Sequence, residues 1–202
     1  MISFNADEII SLCNIRPFKV NNIFLYGSRV YGTAHSDSDY DLLVVGGNLL
    51  ERQELHKGKF NIHIIIPTKF EENLRGHDVH MLECIWAPDF AIILNKRNFL
   101  KEFTLDKKKL KKKLLSQSHQ SWMNGKRKII ETDLHRGSKS IWHSIRILQF
   151  GIQIVKHGRI NDFQEANKLY TEIVDADEYR WNYYRDKYLP YKKELEDIFI
   201  KM

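Results

Sequence analysis

The apolar positions change their period partway along the chain. In the first half they come as short, nearly continuous runs closed by glycine or proline. NNIFLYGS ends at Gly27 and Ser28, DLLVVGG at Gly46 and Gly47, and FNIHIII is stopped by Pro67. Runs of this length between turn residues predict buried β-strands. Asp7 to Cys13 predicts a short helix broken before Pro17, and the polar ERQELH predicts another helix between the second and third strands. Strand, turn, strand, polar segment, strand describes a small sheet with helices laid on it.

From about Asn98 the period becomes helical. Between Ser138 and His157 the residues Ile141, Ile145, Leu148, Ile152 and Val155 recur every three or four positions, as one stripe of a helix does. Gly158 follows Lys156 and His157, where a C-cap glycine belongs. DKKKLKKKLL, FQEANKLYTEI and the stretch around KKELEDIF predict further helices. The expected fold is α/β in the α+β sense: a small mixed-sheet domain over residues 1–97, then an all-helical domain over residues 98–202, with no internal repeat.

Composition narrows this picture. With 202 residues, 43% of them hydrophobic and 12% aromatic, the chain can build a real core. Cys13 and Cys84 lack the spacing of a disulfide framework or zinc site, which points to two buried thiols in a reducing compartment. No apolar run approaches the ~20 residues that span a bilayer, and MISFNADEII lacks the form of a signal peptide, so a cytoplasmic protein without a membrane partner is expected. The formal charge of +6 favours anionic partners.

The chemistry concentrates in LYGSRVYGTAHSDSDYDLLVV. A strand ends at Gly27 and Ser28, and after a loop Asp39 and Asp41 stand two apart at the start of the next strand. Residues i and i+2 of a strand share a face, so both carboxylates can reach one cation while Tyr40 and Leu42 turn inward. Mg²⁺ suits such a pair, since it is held by one or two carboxylates plus substrate phosphates. Gly27 lets the backbone approach a phosphate, Ser28 offers a hydroxyl, and Arg29 adds charge.

Gly27-Ser28 with Asp39 and Asp41 resembles the glycine-serine and paired-aspartate motifs of the polymerase-beta nucleotidyltransferase superfamily. The longer GSRVYGTAHSDSDYDL, with HDVHMLECIWAP and SIWHSIRILQFGIQIVKHGRI, is similar to the RlaP-like predicted nucleotidyltransferases of bacteria and phages. The resemblance implies transfer of a nucleoside monophosphate from a nucleoside triphosphate to a hydroxyl, with release of pyrophosphate. Asp39 and Asp41 would hold Mg²⁺ or Mn²⁺, and Gly27 and Ser28 the β and γ phosphates.

The superfamily carries a third acidic residue on a later strand. Here FNIHIII offers Asn61 and His63 on one face instead. His63 is read either as the base for the acceptor proton, as a ligand for a softer metal, or as an ordinary polar strand residue. Glu51, Glu54, Asp78 and Glu83 remain alternative sources of a carboxylate. The departure also admits a second class, a catalytically weakened relative that binds nucleotide or RNA in a regulatory or assembly role.

In the second half, Lys139, His143 and Arg146 form a polar stripe opposite the apolar one, either lining a cleft toward the triphosphate or facing solvent. In the resembling family a His and an Arg recur in this helix. Lys107, Lys108, Lys109, Lys111, Lys112 and Lys113, followed by Lys126, Arg127 and Lys128, read as a footprint for RNA or DNA or as a solvated helix face. Tyr179, Trp181, Tyr183, Tyr184 and Tyr188 would stack bases or pack in a core. Oligomeric state is not legible.

Overall fold

A computed structural model describes residues 5–47, 53–176, 178 and 180–202. They form two compact units, Met1–Thr104 and Leu105–Met202. The expected fold class is the observed one, a five-stranded mixed sheet with helices followed by a helical region.

The first unit contains α1 (Ala6–Leu12), β1 (Val20–Tyr26), α2 (Ser28–Tyr31), β2 (Tyr40–Gly46), β3 (Gln53–Lys57), β4 (Phe60–Ile65), α3 (Pro67–Arg75), α4 (Val79–Ile85) and β5 (Ile92–Asn95). Strand order is β3-β4-β2-β1-β5, with β2 and β4 parallel and the other neighbours antiparallel. Two elements differ from expectation. Gln53–Lys57 is an edge strand, not a helix, while Glu51 and Arg52 lie outside the described residues. A two-residue turn with Gly58 at φ 58° pairs Lys57 with Phe60, and the strand's position at the sheet edge suits its polar sequence. β5 is too short to announce itself as an apolar run.

Partners across the strands share a sheet face, so Phe24 with Leu43, and Tyr26 with Asp41 and Asn61, lie on one side. Phe70 of α3 is fully buried there, stacking on Phe24 at 6.3 Å and meeting Phe99 at 4.6 Å. Burial of such a ring stabilises by roughly 1.5–3 kcal/mol.

The second unit contains α5 (Lys107–Ile130), α6 (Leu134–His157), α7 (Tyr170–Val174) and α8 (Trp181–Lys201). Asp106 caps α5 by accepting from the N–H groups of Lys108 and Lys109, each at 3.0 Å. The chain reverses through Thr132, at φ 69°, into α6. The two helices then cross backbone to backbone: a Cβ on Gly137 would lie 2.6 Å from Ile129 Cγ1 and 2.9 Å from the Ile129 nitrogen.

The stripe from Ile141 to Val155 is buried, and Gly158, at φ 74°, closes α6 as expected. In the polar stripe opposite it, Arg146 does not face solvent. From Ile141 to Val155 every residue except half-exposed His143 is buried. Arg146 has no exposed surface; its guanidinium lies 5.2 Å from the rings of both Trp142 and Phe150, and its Nη2 is 2.6 Å from His143 Nδ1. Lys139 is half-buried. α6 packs against α5, α7 and α8 together, so it is enclosed on more sides than one apolar stripe implies.

Tyr184 and Tyr188 are core residues, their hydroxyls donating to the carbonyls of Glu178 and Glu172. Tyr179 lies outside the described residues. No described helix is long and apolar enough to cross a membrane.

Candidate active site

The site is built where β1 ends and where β2 and β4 begin. Gly27 follows β1 at φ 76° and ψ −155°, a combination essentially confined to glycine. A side chain is also excluded by space, because a Cβ there would lie 2.2 Å from Oδ2 of Asp41. The carboxylate of Asp41 thus rests where residue 27 has no side chain. Ser28, half-buried, begins α2. Tyr31 at the end of that turn is buried and donates its hydroxyl to Glu83 Oε2 at 2.6 Å, tying α2 to α4.

Arg29 is engaged with the loop that carries the first aspartate. Its Nε donates to the carbonyl of Asp39 at 3.2 Å, its Nη2 to the carbonyl of Ser38, and its guanidinium carbon stands 3.7 Å from the centre of the Tyr40 ring. β2 begins at Tyr40, so exposed Asp39 stands just before the strand and half-buried Asp41 inside it. Leu42 is fully buried as expected.

Asp41 is held on two sides. Asn61, its partner on β4, donates from Nδ2 to Oδ1 at 2.9 Å, while Oδ2 lies against Gly27. The next row on the same face is Leu43, His63 and Glu54. His63 Nδ1 is 3.1 Å from Glu54 Oε1, and the His63 side chain is only 11% exposed. The ring of Tyr26 meets that of His63 edge-on at 5.9 Å. A cavity of about 100 Å³ opens beside this row, lined by Tyr26, Leu43, His80, Met81 and Cys84. Burial, with the charges of Glu83 and Asp78, holds the Cys84 thiol well above its ordinary range, so it stays protonated and is no nucleophile at neutral pH.

The alternative carboxylates separate by position. Glu83 is committed to Tyr31, and Asp78 caps α4 by accepting from the His80 N–H at 3.1 Å. Glu54 lies on the face of Asp41, one row along. Glu51 lies outside the described residues. Among the described residues no group of three or more His, Cys, Asp or Glu is placed to hold a metal ion. Lys139, His143 and Arg146 belong to the second unit.

Sequence reading placed Asn61 and His63 on one face but missed the partners each would take. The signal was the alternation in QELHK, which brings Glu54 and His56 to one face once that segment is a strand.

Residues 9–136 match the family model for the nucleotidyltransferase domain, well over half of the chain. No curated protein matches it. Among solved structures, a nucleotidyltransferase-like protein from Exiguobacterium sibiricum 255-15 is similar at 12% identity over 96% of this chain and 73% of its own. Its TM-score of 0.34 is too low for the likeness to carry an argument.

Proposed function

The chain belongs to the nucleotidyltransferase domain family, and from that premise we propose that it transfers a nucleoside monophosphate from an NTP to a hydroxyl acceptor, releasing pyrophosphate. The observation that carries the reading is the contact between Gly27 and Asp41: the residue expected to meet the phosphates and the residue expected to hold the cation pack as one unit. Within the family, the stretch from Gly27 to Leu42 supports the RlaP-like group by resemblance.

In this reading the Gly27-Ser28 turn receives the β and γ phosphates. Asp39 and Asp41 hold Mg²⁺ or Mn²⁺, which when bound neutralises the triphosphate and lowers the pKa of the acceptor hydroxyl. Arg29 fixes the loop carbonyls on which the position of Asp39 depends. His63 takes the acceptor proton. The first-choice acceptor is a nucleic-acid end. Lys107, Lys108 and Lys109 occupy the first turn of α5, where cations oppose the helix dipole, and with Lys112 they are exposed.

Asn61 in the row of Asp41 favours the second reading, a weakened relative that binds nucleotide or RNA without turnover. NTP affinity and pyrophosphate release, measured for wild type, Asp39→Asn, Asp41→Asn and His63→Ala with Mg²⁺ and Mn²⁺, separate the two. Transfer requires both aspartate variants to lose metal-dependent binding or turnover, and the role given to His63 requires His63→Ala to lose turnover ~10²- to 10⁴-fold with binding retained. Unchanged affinity and turnover in the aspartate variants would refute a nucleotide site, and loss of binding in those variants with no turnover in any protein for any acceptor tried selects the weakened relative.

A further inference from the structure

Resting on the transfer reaction above, we propose that Glu54 is a positioning residue for that reaction, fixing His63 so that its Nε2 faces the acceptor as the proton-taking atom. Glu54 on β3 and His63 on β4 are register partners, with Oε1 and Nδ1 3.1 Å apart. A carboxylate only accepts, so the Nδ1 of a neutral His63 carries the proton and Nε2 is left with its lone pair. The side chain is nearly enclosed and Tyr26 meets its ring edge-on, which limits ring rotation.

Geometry places the pair one row from Asp41 on the same sheet face. His63 is one strand across and two residues along from Asp41, offsets of roughly 4.8 Å and 6.6 Å in a regular sheet. Both share a face with Tyr26, whose register partner is Asp41. The cavity beside the pair is lined by Tyr26 and Leu43, which adjoin His63 by ring contact and by register. An acceptor hydroxyl entering between the rows loses its proton to Nε2 as its oxygen bonds the α-phosphorus. The bond from that phosphorus to the bridging oxygen breaks, and its electron pair leaves with pyrophosphate. The imidazolium so formed lies against the Glu54 carboxylate. Other ionisable groups around this space are Asp41 on β2, His56 on β3, Tyr26 on β1, and His80 and Cys84 on α4.

The test measures kcat and the NTP KM for pyrophosphate release in wild type, Glu54→Gln, Glu54→Asp, His63→Ala, the Glu54→Gln/His63→Ala double variant and Asp41→Asn. The His63 tautomer is read by ¹⁵N NMR in wild type and Glu54→Ala. Expected are a kcat about 10²-fold lower in Glu54→Gln at unchanged KM, partial recovery in Glu54→Asp, and a double variant no slower than His63→Ala. A dominant Nδ1–H tautomer should be lost in Glu54→Ala. If wild type turns over and Asp41→Asn does not, while Glu54→Gln keeps wild-type kcat or slows His63→Ala further, the dyad is overturned and the transfer reading stands. If wild type releases no pyrophosphate with any acceptor, the transfer reading falls and the dyad's role falls with it.

Discussion

Replacing Gly27 by alanine tests the site at its tightest contact. Two penalties add. The backbone at φ 76° and ψ −155° lies in a region essentially closed to residues with a Cβ, which costs of order 1–3 kcal/mol. The new methyl would also stand 2.2 Å from Asp41 Oδ2, whereas ordinary contact begins at 3.4 Å, so the carboxylate must give by about 1.2 Å. Misplacing a reacting group by about 1 Å costs on the order of 10²-fold in rate. Gly27→Ala is therefore expected to lose about 2 kcal/mol in urea denaturation and about 10²-fold in pyrophosphate release. The Asp41→Ala background separates the two penalties: the obstacle is gone but the backbone strain remains. Gly27→Ala should cost less there, with a coupling of about 0.5–3 kcal/mol. A coupling of zero, or a Gly27→Ala protein as stable and active as wild type, would refute the packed glycine-aspartate unit.

Two further outcomes follow from packing. Gly137→Ala sets helix propensity against sterics: alanine alone would stabilise by about 1 kcal/mol, but its methyl meets the backbone nitrogen of Ile129, so a net loss of about 1–3 kcal/mol is expected in thermal or urea unfolding, and a gain would rule out the close crossing. Burial pushes the Cys13 thiol up to about 11 and the Tyr184 phenol to about 12. The folded chain then keeps protons that the unfolded chain loses near pH ~8.5 and ~10, so this stability is fully present below about pH 8.5 and declines as pH rises toward 11–12. Urea midpoints across pH 8–11 should fall, less steeply in Cys13→Ala, and a flat profile refutes the assignment.

The strands FLY, LLVV and NIHII and the helix to His157 were legible because long uniform runs leave one option for burial. The Gly27 and Asp41 pair was legible as a motif, though its contact was not. QELHK was misread because edge strands need no apolar run, and that error hid the pairing of Glu54 with His63. A cross-strand pair is defined by register, and register depends on a turn, here Gly58, whose effect appears only when both strands are known. The burial of Arg146 was not legible either: its stripe left a cleft or solvent open, whereas α6 has neighbours on several sides and the rings of Trp142 and Phe150 lie beside the guanidinium.

Asn61 gives the site its particular character. Directly opposed side chains in a sheet stand about 4.5–5.5 Å apart at Cβ, so a carboxylate at position 61 would set a second negative charge in the row of Asp41 and would need a cation between them. The amide instead donates to Oδ1, which adds no charge to the row. Asp41 is thus positioned by Asn61 and Gly27, and in the proposed reaction a cation there would depend chiefly on the phosphates it brings. In the proposed reaction the proton would go one row along, to His63, which when neutral adds no charge beside Asp41 and whose charged form would lie against Glu54. The neutral donor at position 61 and the histidine-carboxylate pair beyond it lie in adjacent rows of the same sheet face, so in the proposed reaction cation binding and proton transfer would be neighbours in the sheet.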